Sequence, residues 1–245
     1  GKYFCEDDGD VYPLARKTYA MDQGDFEPTC PKCKGQVSLV ATDEESMIHP
    51  TSIYGVTKQN QEQMFLLMGE SLGISVYALR YQNVYGPGQS LSNPYTGILS
   101  IFSTRILNGN PLNIFEDGLE TRDFVYIDDV VSVTKAAIEK QGGDCLALNI
   151  GSGVNTTVRD VVDKLQKSIG KCVEVTVSGD YRLGDIRHNY ADISLAKEIL
   201  SYKVNFNFEQ GINEFASWVN NQSIEIDNYE GSIQEMIAKG MMRKS

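Results

Sequence analysis

The chain has 245 residues, 41% of them hydrophobic and 22% charged, enough for one large buried core or two smaller ones. Its formal net charge of −11 argues against nucleic acid or an anionic membrane as a partner, yet leaves room for a small anion held by a few arginines. No apolar run approaches a membrane span and residues 1–10 lack signal-peptide character, so a cytoplasmic protein is expected.

Residues 1–50 are polar, rich in turn formers and poor in periodicity, and read as a long loop or inserted knuckle. Within them Cys30-Pro31-Lys32-Cys33 is half of a zinc knuckle, and Cys5 supplies a third thiol. The fourth ligand stays open among His49, Asp7 and Asp8, and three reduced thiols are the alternative. Cys145 and Cys172 sit in apolar stretches and read as buried thiols.

From residue 52 the pattern turns helical, with an apolar stripe of Ile53, Val56, Met64, Leu67 and Leu72 and a stop at Gly73. "ISVYALRYQNVYG" (74–86) reads as one strand running into a Gly-Pro-Gly turn. A helix follows over 95–109, then a short strand at 111–115, and a helix over 126–140 with acidic residues in its first turn. "CLALNIG" (145–151) is a strand, and 156–170 a helix with Thr156 as N-cap and Gly170 at its end. After a strand at 173–179 come helices at 194–200 and 208–220, and a weakly patterned tail at 221–245. Strands alternating with helices predict an α/β fold with parallel strands.

Several constellations carry chemistry. Tyr54 and Lys58 stand four apart on a helix, hence on one face, although chance alone supplies about 0.7 such pairs in this composition. Arg122 directly follows a turn, and Arg182 and Arg187 flank Asp185. Arginines converging from separate loops suit a phosphorylated ligand, and surface pairing with nearby aspartates is the plainer reading. "NIGSGVNTT" (149–157) imitates a dinucleotide fingerprint, but its third glycine position is Thr156, so it reads as a structural turn. With His49 and His188 the only histidines and no nucleophile-elbow serine, a Ser-His-Asp hydrolase has little support.

Six segments occur in order: "PTSIYGVTK", "LRYQNVYGPGQ", "NPYTG", "IFEDGLETRDFVYIDDV", "LNIGSG" and "YRLGDIRHNYADIS". Together, over residues 50–218, they resemble the extended short-chain dehydrogenase/reductase family, and within it the NAD-dependent nucleotide-sugar epimerases and dehydratases. The cysteine-bearing insertion brings the chain nearest to the branch acting on dTDP-L-rhamnose and UDP-glucose at C4.

The resemblance implies the C-terminal part of an NAD(P)-binding Rossmann fold with a smaller α/β substrate-binding domain. Residues 1–90 would be Rossmann portion with an insertion at about 1–49. Residues 91–220 would be mainly substrate domain, with returning Rossmann elements near 122–152, and 221–245 a tail. Tyr54 would be the base at the sugar 4-hydroxyl. Lys58 would stabilise the phenolate and bind the nicotinamide ribose, and Tyr81 would lie beside the nicotinamide. Asn83 would meet the diphosphate or sugar, Ile114 and Phe115 the base, Arg122 and Arg182 the diphosphate, Asp185 the nucleotide ribose, and Arg187 would be an additional contact. A homodimer is implied. The family's opening G-x-x-G-x-x-G turn and its Ser or Thr before "VYG" are absent from the 245 residues. The chain is therefore expected to lack most of the cofactor site, to derive from a longer polypeptide or a processed one, and not to catalyse alone. A 4,6-dehydratase is the runner-up, mimicked by "TDE" at 42–44, which reads as solvated loop. A non-catalytic remnant that holds a nucleotide is the alternative from another class.

Overall fold

The computed structural model describes residues 1–93, 97–142, 144–223 and 225–244; Pro94, Tyr95 and Thr96, the centre of the "NPYTG" segment, lie outside them. The first forty residues are not a loop. Strands β1 (Lys2–Cys5), β2 (Gly9–Val11) and β3 (Ser38–Val40) form an antiparallel sheet in the order β2-β1-β3, with helix α1 (Thr18–Met21) between β2 and β3 in the chain. Strands of three or four residues are too short for alternation to register in sequence. Tyr3, Cys5, Val11 and Cys30 make this sheet's small core, while Met21 and Phe26 pack on Tyr181.

Helix α2 (Ile53–Leu72) starts where Ser52 Oγ accepts the Gly55 amide and ends at Gly73 in the left-handed conformation, φ 65°. Gly69 lets it lie close to the strands beneath, since a Cβ there would come within 2.7 Å of Cys145 Sγ. Glu62 adds a bidentate ion pair to Arg80. The apolar stripe of α2 is left exposed, Met64, Phe65, Leu67 and Met68 included.

Strand β4 (Val76–Tyr81) and strand β5 (Asn83–Tyr85) replace the single strand expected over 74–86. The break at Gln82, whose amide donates to Ile150 O, passes the chain from one sheet to another. Next come α3 (Ile98–Asn108), β6 (Leu112–Ile114), β7 (Thr121–Tyr126), α4 (Ile127–Glu139) and β8 (Cys145–Ile150). They are followed by β9 (Asn155–Thr157), α5 (Val158–Ile169), β10 (Val175–Val177), β11 (Tyr181–Arg182), α6 (Ser194–Leu200) and α7 (Phe208–Asn220). β4 pairs in parallel with β8, β5 with β7, and β6 with β10, as the α/β reading required, while β9 runs antiparallel to β7.

Two cores result. One sets α3, α5 and α7 around the β5-β7-β9 sheet, with Phe102, Leu165, Ile212 and Phe215 against Tyr85 and Phe124. The other sets α4 and α6 on β4 and β8 through Val130, Leu148, Ile150 and Ala196. The N-cap of α5 is Thr157 rather than Thr156, closing a capping box with Asp160, and Thr156 faces Arg122 across the β7–β9 pair. The segment 221–245 is not a loose tail. It forms α8 (Tyr229–Ala238) and β12 (Met242–Arg243), which pairs with β11, and Tyr229, Ile233 and Met242 bury together. Cys172 is exposed and Cys145 half-buried, so neither is the buried thiol expected. Among the described residues no helix is long and apolar enough to cross a membrane.

Asp123 on β7 is fully buried and joins the two sheets. Its carboxylate accepts the amides of Ser152 (2.7 Å), Gly153 (3.0 Å) and Ala191 (3.1 Å) and the Ser152 hydroxyl (2.7 Å). Asp123→Ala would leave the buried Ala191 amide and the half-buried Ser152 and Gly153 amides without their acceptor, and chemical denaturation is expected to show a loss of roughly 3–5 kcal/mol. A loss below about 1 kcal/mol would mean the turn is held by other contacts.

Candidate functional site

Strands β5, β6, β7 and β11 and helices α3 and α8 surround a cavity of about 290 Å³. Asn83, Phe115, Arg122, Arg182 and Asp185, five of the residues singled out in sequence, line it together, although three of the elements that carry them are more than 20 residues apart in the chain. Arg122 Nη2 reaches Asp185 Oδ1 at 3.1 Å, and Nη1 is steadied by the carbonyls of Thr121 and Arg187. The Arg182 guanidinium lies over the Phe115 ring, 5.4 Å from its centroid.

Buried polar groups in folded proteins nearly always have a hydrogen-bond partner. Among the described residues four exceptions gather in this cavity: Arg182 Nε, Asn113 Oδ1, Glu120 Oε2 and Tyr229 Oη. All four atoms belong to residues that line this one cavity, and Glu120 Oε2 has Arg187 Nη1 at 3.7 Å as its charged neighbour. Sequence reasoning missed Asn113, Glu120 and Tyr229. Tyr229 lies in the segment read as a tail, where only its i, i+4 relation to Ile233 carries a signal.

A second cavity, of about 460 Å³, adjoins the first and shares Arg182 and Asp185 with it. Its other walls are the start of α2, with Thr51, Ser52 and Tyr54, and the knuckle, with Tyr3, Arg16 and Pro28. Tyr54 is 71% exposed at its mouth. Lys58 Nζ lies 5.8 Å from the centre of the Tyr54 ring and 3.3 Å from Gln61 Oε1, so the two side chains share a helix face. Tyr81, at the end of β4, lines neither cavity; its hydroxyl is 2.8 Å from Thr134 Oγ1 on α4.

Two expectations need correction. Ile114 is buried in the core around α3 and α5 and does not face the ligand space. Arg187 is also buried, with its donors committed. Nε and Nη2 donate to Glu27, Nη1 to Glu116, and Nη1 and Nη2 to Asp117, at 2.6–2.9 Å. Five hydrogen bonds to four oxygens of three carboxylates leave none of its N–H groups for a phosphate. Arg16 clamps Glu116 from the other side through two 2.7 Å bonds. Hydrogen bonds from His188 and Arg187 hold the Glu27 carboxyl down at about 2, with burial opposing.

The "TDE" stretch is built in rather than solvated. Thr42 bridges to Ala191, Asp43 pairs with Lys2, and Glu44 Oε1 accepts the Asn149 amide at 2.7 Å. The glycine turn after β8 spends its amides on Asp123, as a structural turn would.

A model of the NAD dependent epimerase/dehydratase family matches residues 30–151. The dTDP-L-rhamnose 4-epimerase of Burkholderia thailandensis is 36% identical over 211 residues, covering 85% of this chain and 56% of that protein. A putative UDP-glucose 4-epimerase of Methanocaldococcus jannaschii is 31% identical over 223 residues, covering 88% and 71%. Among solved structures, the Bacillus cereus UDP-glucuronic acid 4-epimerase in complex with UDP-glucuronic acid and NAD superposes with a TM-score of 0.65 at 30% identity, covering 74% of this chain and 57% of that one. The chain thus spans a little over half the length of the first and third of these.

Glu120 gives a pH test of the cavity. Burial and the neighbouring Glu116 push its carboxyl up to about 7. A carboxyl raised in the folded state costs stability as pH rises from the unfolded value to the folded one, here from about 4.5 to 7, and the cost then levels off. Glu120→Gln is therefore expected to stabilise the protein by on the order of 1–3 kcal/mol at pH 8 and hardly at all below pH 5. Thermal melts at the two pH values measure this, and an equal effect at both would remove the protonated carboxyl.

Proposed function

The chain belongs to the NAD-dependent epimerase/dehydratase family, and on that premise we propose that it carries the nucleotide-sugar site of an enzyme inverting C4 of a nucleotide-diphosphate sugar through a transient 4-keto sugar. The observation that carries the reading is the shared wall. Arg182 and Asp185 border both the cavity with the unsatisfied polar atoms and the cavity onto which Tyr54 opens. A nucleotide diphosphate seated in the first would present its sugar to the second.

In this reading Arg122 and Arg182 hold the diphosphate, with the buried Nε of Arg182 as an unspent donor. Asp185 accepts from the nucleotide ribose, Phe115 lies against the base, and Asn83 binds on the diphosphate side. Tyr54 takes the proton from the sugar 4-hydroxyl and returns it, and the Lys58 ammonium stabilises the phenolate. NAD, when bound, supplies the reversible oxidation at C4. Tyr54 and Lys58 are the residues that would hold its nicotinamide ribose, with Tyr81 beside the ring, whereas the turn after β8 has spent the Ser152 and Gly153 amides on Asp123 and offers neither to its pyrophosphate. A homodimer formed through α2 belongs to the same reading, supported by that helix's exposed Met64, Phe65 and Leu67. So does a cytoplasmic setting, while a structural zinc ion on the cysteine cluster is a separate proposal.

Calorimetric titration with UDP-glucose and with a dTDP-linked sugar tests it. Arg182→Ala is expected to weaken binding roughly 10- to 100-fold, the loss of one bidentate phosphate contact. Tyr54→Phe should leave affinity unchanged here and, in a longer polypeptide that supplies the cofactor segment, abolish interconversion of the C4 epimers. The absence of binding heat, or wild-type affinity in Arg182→Ala, would overturn the assignment.

A further inference from the structure

At one end of the β2-β1-β3 sheet two separate segments bring four side chains together. Cys5 and Asp8 flank the β1–β2 turn, and Cys30 and Cys33 lie in a tight Cys-x-x-Cys turn. Cys5 Sγ and Cys33 Sγ are 3.5 Å apart. Asp8 Oδ2 is 3.2 Å from Cys30 Sγ and 3.9 Å from Cys5 Sγ. All four atoms lie within 4.8 Å of one another. A tetrahedral zinc ion with bonds of about 2.3 Å to sulfur and 2.0 Å to oxygen requires edges of about 3.8 Å between sulfurs and 3.5 Å between sulfur and oxygen.

We infer that Cys5, Asp8, Cys30 and Cys33 form a closed structural site for Zn²⁺, with Asp8 as the fourth ligand. The turn is shaped for it. The Gly35 amide points at Cys33 Sγ at 3.4 Å, and the Cys30 amide donates to Gly35 O. Lys34 between them adopts φ 66°, a left-handed conformation that a lysine takes only when its surroundings impose it. Lys32 Nζ lies 3.9 Å from the other Asp8 oxygen and offsets the negative charge of a three-thiolate, one-carboxylate set. Plain apolar packing explains Cys5 and Cys30, both buried. It does not explain an exposed Cys33 or a carboxylate among thiols.

The inference does not rest on the nucleotide-sugar reading, but it bears on the same cleft. Cys30 follows Glu27 by three residues, and Glu27 reaches the Arg187 guanidinium and His188. Tyr3, Arg16 and Pro28, also on the knuckle, wall the cavity of Tyr54. A sheet of three short strands with four buried core residues has little stability of its own, and a metal would supply it.

The protein produced in zinc-supplemented medium should contain one zinc per chain by elemental analysis. X-ray absorption should show three sulfurs and one oxygen at about 2.3 and 2.0 Å. Asp8→Ala and Cys33→Ser should each lower zinc affinity at least about tenfold, measured by chelator competition. Removing the metal should raise hydrogen exchange in residues 1–40 before elsewhere. Less than about one zinc per ten chains with all thiols titratable, or a disulfide within the cluster, would overturn the site. Zinc held by Asp8→Ala as tightly as by the parent would overturn Asp8 as a ligand. Nucleotide titration is a separate readout, so either reading can fail alone.

Discussion

The site depends on one buried guanidinium. Arg187 sits among Glu27, Glu116, Asp117 and Glu120, and these belong to the knuckle and to the turn between β6 and β7. Its carbonyl accepts from Arg122, so the arginine that looks into the ligand cavity is oriented by the one that cannot reach it. Counting Arg16, two positive charges face four carboxyls, and the position that cannot ionise cheaply is Glu120. Burial and the neighbouring Glu116 raise the Glu120 carboxyl, which favours its neutral form and leaves Arg122 and Arg182 less cancelled than four ionised carboxylates would.

Much of this was legible in the sequence, and the failures have identifiable causes. Helices α6 and α7 lie where the apolar spacing sets them, α7 with an Asn207–Gln210 capping box, and Gly73 and Gly170 close helices as their lack of a Cβ allows. Arg122, Arg182 and Asp185, singled out through motif order, line one cavity, and motif order carries spatial information that composition does not. Arg187 was misread because the partners that occupy it lie 70 and 160 residues away. Nothing local separates a phosphate-binding arginine from one already satisfied. The knuckle strands and α8 escaped because elements this short are stabilised by what they pack on.

The Gly151–Gly153 turn shows how close structural and cofactor chemistry can be. A glycine turn between a strand and a helix concentrates amides, and an anion completes it. Here the anion is Asp123, twenty-odd residues upstream on the neighbouring sheet. An internal carboxylate exchanges ligand affinity for a rigid joint, and that joint fixes the spacing between β7, which bears Arg122, and the 188–192 segment, which holds Thr42.

Among the described residues the knuckle's ion pairs with the ligand-site loops are made to partners remote in the chain. Arg16 pairs with a residue 100 positions on, and Glu27 with one 160 positions on. A polypeptide emerging from the ribosome presents the knuckle well before those partners. Docking must then close long loops, whose entropy is lost before any contact is gained. The knuckle is therefore seated through contacts that close over much of the chain, and the mouth of the Tyr54 cavity depends on that closure.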